Sequence, residues 1–132
     1  MKFAQAAAKA TVLFALSAVF SLALAGDIKP FSQTEFDQLS AQGKPVMLDI
    51  SATWCPTCKQ QAPIIDGLMK RPEFKDVTTL TIDFDANKTT LKAFKVNMQS
   101  TLVAFKGGKE VGRSVGDTRP DGIEGLYKRT LN

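Results

Sequence analysis

The sequence predicts an α/β fold, a mixed central sheet sandwiched by helices, with a C-terminal antiparallel hairpin. Three observations predict it. Short apolar runs at residues 46–50, 77–84 and 101–105 read as strands. Stretches with helical spacing separate them, and strands alternating with helices imply a parallel core joined by right-handed crossovers. Gly107-Gly108 then lies between two strand-like runs, the signal of a tight turn that only antiparallel neighbours use.

The chain of 132 residues opens with a segment that reads as processing rather than structure. Lys2 and Lys9 are basic, residues 11–25 are apolar and uncharged, and Ala23-Leu24-Ala25 matches the small-x-small site of a signal peptidase. Residues 1–25 are therefore expected to be a signal peptide, and residues 26–132 a single exported, periplasmic domain. The apolar run is short for a membrane span, which takes about 20 residues; an uncleaved membrane anchor is the alternative. Gly26 rather than cysteine follows Ala25, which argues against lipid attachment there.

In the remaining chain, Ser32 and Glu35 have capping-box spacing for a helix over 31–42, with Phe36 and Leu39 on one face and Gly43 ending it. Residues 46–50 form a nearly continuous apolar run, as in a strand covered on both faces. Pro56 suits the first turn of the next helix, whose apolar positions are Ile64, Ile65, Leu68 and Met69. Pro63 is expected to kink it and Pro72 to stop it. A strand at 77–84, a short helix at 87–96 carrying Leu91 and Phe94, and a strand at 101–105 follow. The hairpin closes through 110–115, and Asp117 or Thr118 is expected to cap a last helix with Ile123, Leu126 and Leu131 as its stripe. The predicted order is α-β-α-β-α-β-β-α.

Composition excludes several functions. The net charge of +4 falls to +2 once Lys2 and Lys9 are removed, and no basic cluster supports nucleic-acid binding. Histidine is absent, which rules out Ser-His-Asp and Cys-His catalysis and any histidine metal ligand. Both cysteines lie in Trp54-Cys55-Pro56-Thr57-Cys58. Two cysteines cannot complete a four-cysteine zinc site, and a bridge between them closes a loop too short to restrain much of the unfolded chain.

The pair falls just beyond the carboxyl end of a predicted central strand, where open α/β sheets place their sites. Cys55 then stands at a helix N-terminus, where unpaired N–H groups and the helix dipole favour a thiolate. Cys55 is expected to be the exposed attacking thiol, and Cys58, one turn on, the resolving one. Redox chemistry is the leading reading, with metal binding and a purely structural bridge as alternatives. Asp49, between apolar neighbours, should have a raised pKa and is the best general base in the chain.

The segment V-M-L-D-I-S-A-T-W-C-P-T-C-K resembles the active site of the thioredoxin superfamily, and the resemblance extends through Thr101-Leu102-Val103-Ala104-Phe105-Lys106-Gly107-Gly108 and Val115-Gly116. The resemblance implies Cys55 as nucleophile, Cys58 as resolving thiol, Asp49 beneath the inner cysteine, and Trp54 beside the pair. Pro56 and Thr57 inside the ring would tune the potential, and Trp54, Ser100 and Thr101 would meet substrate. Two residues depart from the family. Ser100 stands where most members have a cis-proline, so a trans peptide and a reshaped loop are expected. Thr81 replaces a buried lysine, which should leave Asp49 with a higher pKa.

The expectation is a thiol:disulfide oxidoreductase that reduces protein disulfides, needs no cofactor beyond the Cys55–Cys58 disulfide, and draws electrons from a membrane partner. An oxidase or isomerase differs from it only in potential. A metallochaperone using the same cysteines is the alternative of another class, and a redox-silent binding domain a third. Oligomeric state has no signature in the sequence.

Overall fold

The computed structural model describes residues 24–132. The expected signal peptide lies, up to residue 23, outside the described residues. Among the described residues, no helix is long and apolar enough to cross a membrane.

The elements are β1 (Asp27–Pro30), α1 (Gln33–Ala41), β2 (Pro45–Ser51), α2 (Pro56–Met69), β3 (Thr78–Asp83), α3 (Lys88–Ala93), β4 (Thr101–Lys106), β5 (Lys109–Val115) and α4 (Pro120–Arg129). A single 3-10 turn at Pro72–Phe74 joins α2 to β3. The sheet order is β1-β3-β2-β4-β5. Its first three strands are parallel, β4 runs antiparallel to β2, and β5 runs antiparallel to β4. The mixed sheet and its hairpin are as expected. β1 is a correction: Asp27-Ile28-Lys29-Pro30 is short, half polar and ends in proline, so it carries no strand pattern. It exists as an edge strand because its backbone pairs with β3 over Thr78 to Thr81.

β2 alternates between two hydrophobic layers. Val46, Leu48 and Ile50 join Phe36 of α1 and Leu91 of α3 on one side. Met47 joins Ile65 and Leu68 of α2 and Ile123, Leu126 and Tyr127 of α4 on the other. Phe31, Phe36, Phe94 and Phe105 interlock in the first layer, with the Phe36 centroid 5.1 Å from both Phe94 and Phe105 in near-perpendicular contact. Period-two alternation puts Asp49 on the Met47 side, facing α2 and α4. Tyr127, fully buried, bonds Thr79 Oγ1 at 2.8 Å and anchors α4 against the sheet.

Local expectations hold in part. Ser32 caps α1 by accepting the Glu35 N–H at 3.2 Å, but the Glu35 side chain pairs with Lys29 of β1 instead of reaching back. α2 runs unbroken through Pro63. Gly107 and Gly108 have φ of 57° and 76°, which a type I′ turn demands and other residues adopt only under strain. α4 is not capped by Asp117 or Thr118. Arg119 is its N-cap and Pro120 its first residue, while the Asp117 carboxylate accepts from the Arg119 backbone and guanidinium at 3.0 Å. Leu131 lies beyond the helix end, packed at the rim of the core.

Candidate active site

β2 is the central strand, and the chain leaves its carboxyl end at Ser51 to reach the cysteines four residues later. Cys55 is the N-cap of α2, with φ −86° and ψ 109°. Its Sγ accepts the Cys58 backbone N–H at 3.1 Å, satisfying one of the donors that a helix start leaves unpaired. Pro56 occupies the first helical position, where its missing N–H costs nothing. Cys55 and Cys58 are joined in a disulfide, with their Cα atoms 5.3 Å apart.

The expected exposure of Cys55 is corrected. Cys55 is 1 % exposed and Cys58 8 %. In the oxidised form the outer sulfur is drawn over the helix start, and the pair packs with Ala52 against the ring of Phe84, just past the end of β3. That cover comes from long-range packing, which the CxxC spacing does not encode. The exposed group at this end is Trp54, 54 % accessible, whose Nε1 donates to Asp85 Oδ2 at 2.6 Å. Pro56 is exposed and Thr57 half-buried beside the pair.

Asp49 and Cys58 line one cavity of about 320 Å³, together with Lys59 and Ala62 of α2. A cavity of that size has room for water, the usual carrier of a proton between groups not in contact. Loss of hydration pushes the Asp49 pKa up to about 6, with a smaller contribution from the negative charge of Asp66. Thr81 pairs directly opposite Asp49 across β2 and β3, and its hydroxyl donates to the Lys29 carbonyl at 3.4 Å. It offers the carboxylate no positive charge, in line with the expected higher pKa.

Thr101 pairs with Ile50, so Ser100 lies at the same end of the sheet as the cysteine loop. None of the described peptide bonds is cis, and Ser100 takes a left-handed backbone, φ 55°. For a residue with a Cβ this costs about 1–3 kcal/mol and persists only where neighbours enforce it. The Ser100 and Thr101 side chains do not face outward. They are 6 % and 2 % exposed, and their hydroxyls donate to the carbonyls of Gln99 at 2.6 Å and Met98 at 2.7 Å. The exposed side chain of this loop is Met98.

Gln61 enforces this loop. It is 1 % exposed, and its Nε2 donates to the carbonyls of Ser100 at 3.2 Å and Asp117 at 2.9 Å, tying two loops to α2. The sequence expectations did not include it. The available signal was its place in the Cys58, Gln61, Ile65, Leu68 stripe, a polar residue on the buried face of α2. The Ser100 carbonyl also accepts from Gly116 N–H at 2.9 Å, so in Gln61→Leu mainly the Asp117 carbonyl loses its partner. That variant should lose about 1–2 kcal/mol in urea unfolding.

Among the described residues, no group of three or more His, Cys, Asp or Glu side chains is placed to hold a metal ion.

Residues 27–128 match the family model described as Thioredoxin. Thioredoxin of Chlamydia trachomatis is 37 % identical over 102 residues, which cover 77 % of this chain and 97 % of that protein. Thioredoxin of Mycobacterium tuberculosis is 40 % identical over 80 residues, 61 % of this chain and 67 % of that one. The crystal structure of Trxlp from Edwardsiella tarda superimposes with a TM-score of 0.73 at 38 % identity, covering 75 % of this chain and 97 % of that chain. A strand-to-helix disulfide and a family match along nearly the whole described domain agree, and the chain belongs to the thioredoxin family of thiol:disulfide oxidoreductases.

Proposed function

We propose that the protein is exported and reduces protein disulfides, and that a membrane-bound donor returns its electrons. The observation that carries the direction of flow is how few donors surround the bridged Cys55 sulfur, the atom that becomes the thiolate on reduction. That sulfur accepts one backbone N–H, from Cys58, and no side-chain donor reaches it among the described residues. A thiolate held by so little is not strongly favoured over the disulfide, the opposite of what makes a strong oxidant.

The cycle follows from the geometry. The Cys55 thiolate attacks one sulfur of a substrate disulfide, forming a mixed disulfide and releasing the first substrate thiolate. Asp49, as carboxylate, takes the Cys58 proton through the shared cavity. The Cys58 thiolate then attacks Cys55 Sγ and releases the second substrate thiolate. Two electrons have passed to the substrate, and the Cys55–Cys58 disulfide is the product state. Equilibration with thiol–disulfide buffers, read by the fraction of Cys55–Cys58 bridged, should give a potential near the thioredoxin value of about −270 mV. A potential close to the strong-oxidant value of about −120 mV overturns the reductant assignment in favour of an oxidase.

Export is supported by the join between the apolar segment and the domain. β1 starts at Asp27, and Gly26 is already docked, its N–H donating to the Met69 carbonyl at 2.8 Å. A Cβ at position 26 would lie 2.7 Å from both Met69 Sδ and the Phe74 carbonyl, so only glycine fits. Cleavage after Ala25 leaves this contact intact. Mass analysis of protein secreted from an expressing cell should find Gly26 as the first residue, and retention of the full chain in the membrane would instead support an anchor.

A further inference from the structure

A second recess adjoins the cysteine pair and plays no part in the cycle above. Phe84 packs against the Cys55–Cys58 cluster and also forms one wall of a cavity of about 480 Å³. Leu91 and Val96 give it an apolar floor, and Lys88, Lys92 and Lys95 surround its mouth. Lys88, Leu91 and Lys92 share one face of α3, and Lys95 and Val96 follow just past its end, so α3 and the turn after it deliver floor and rim together.

Two details mark this rim as organised. Lys95 holds a left-handed backbone, φ 56°, and the Arg113 guanidinium fixes it by donating to the carbonyls of Phe94 and Lys95 at 3.0 Å each. The nearby carboxylates are also committed elsewhere. Asp85 accepts from the Trp54 indole, and Asp83 Oδ1 accepts from the backbone N–H groups of Asp85 and Ala86. Among the described residues no carboxylate forms an ion pair with Lys88, Lys92 or Lys95. Lys88 Nζ rests instead 3.9 Å from the centre of the Phe84 ring, holding positive charge at the wall shared with the disulfide.

We propose that this recess docks an acidic segment of the protein substrate, next to the disulfide being reduced. An apolar side chain of that segment enters the cavity while its carboxylates meet the three lysines. The proposal rests on the disulfide-reductase reading and adds to it a preference among substrates.

The test uses two synthetic peptides containing the same disulfide and the same leucine. One carries three glutamates beside it and the other three glutamines. Neutral hydroxyethyl disulfide, too small to span both sites, is the control. The protein, first reduced to the Cys55–Cys58 dithiol and freed of reductant, should reduce the glutamate peptide with a second-order rate constant about tenfold higher at low salt, as three exposed ion pairs together provide. The advantage should shrink as salt rises. The K88Q/K92Q/K95Q protein should lose the preference and keep its rate on the control. Equal rates on the two peptides, or a preference surviving in the triple variant, overturn the docking assignment alone. A parallel loss on the control also overturns it, because the lysines then act on the chemistry. Salt-sensitive capture of single-stranded DNA or anionic vesicles, with the peptides undiscriminated, gives the patch to another partner. Failure of the unaltered protein to reduce even the control removes the reductase reading and the docking proposal together.

Discussion

Cys55→Ser should abolish disulfide reduction, by a factor on the order of a thousand or more, because Cys55 is the thiol that opens the substrate disulfide and Cys58 alone cannot complete the cycle. Cys58→Ser should behave differently. Its Cys55 still attacks, but the mixed disulfide has no resolving thiol, so the protein accumulates covalently joined to its substrates. Non-reducing electrophoresis of the two variants from the same cells separates the roles. Adducts should appear with Cys58→Ser and vanish with Cys55→Ser. The reverse pattern would make Cys58 the attacker, an outcome given weight by its slightly greater exposure in the oxidised form.

Asp49→Asn should make the protein more stable and less active. The native carboxyl has a pKa of about 6 against a reference of 3.8, so the folded state holds its proton more tightly than the unfolded chain does. Between about pH 4 and pH 6 the native state binds more protons, and stability falls as pH rises through that window. Above it, a burden of about 2–3 kcal/mol persists, and asparagine removes it. Urea midpoints of the two proteins should therefore differ at pH 7 and converge below about pH 4. Resolution of the mixed disulfide should slow on the order of a hundredfold in the variant. In the unaltered protein the resolving step should fall away below about pH 6, as Asp49 becomes protonated. Equal midpoints at pH 7 would mean that Asp49 is hydrated and unstrained.

The parts of the fold that were legible share one property: their local pattern and their tertiary role agree. β2 is apolar because both faces are covered, and the Gly107-Gly108 turn needs the positive φ that its glycines allow. Cys55 reads as a helix cap because Pro56 follows it. Most of the parts that were missed depend on a distant partner, and the start of α4 is the local exception. β1 is a strand only because β3 lies beside it. Arg119 replaces the expected caps of α4 because Pro120 fixes the first helical residue. Asp117 is held by Arg119, and the value of Gln61 appears only when the Ser100 and Asp117 carbonyls reach it from the far end of the chain. Of the expected site, the positions of Cys55, Cys58 and Asp49 were readable. The closure over Cys55 and the inward turn of Ser100 and Thr101 were not.

That closure has a consequence for life among many oxidants and thiols. A bridge whose outer cysteine is 1 % exposed is a slow target for a small nucleophile that collides at random. A macromolecule that grips the surrounding face, where Phe84 packs against the pair, lines up for displacement more readily. The folded chain thus acts as an insulator around its own battery, holding charge for the correct terminal and leaking little to bystanders.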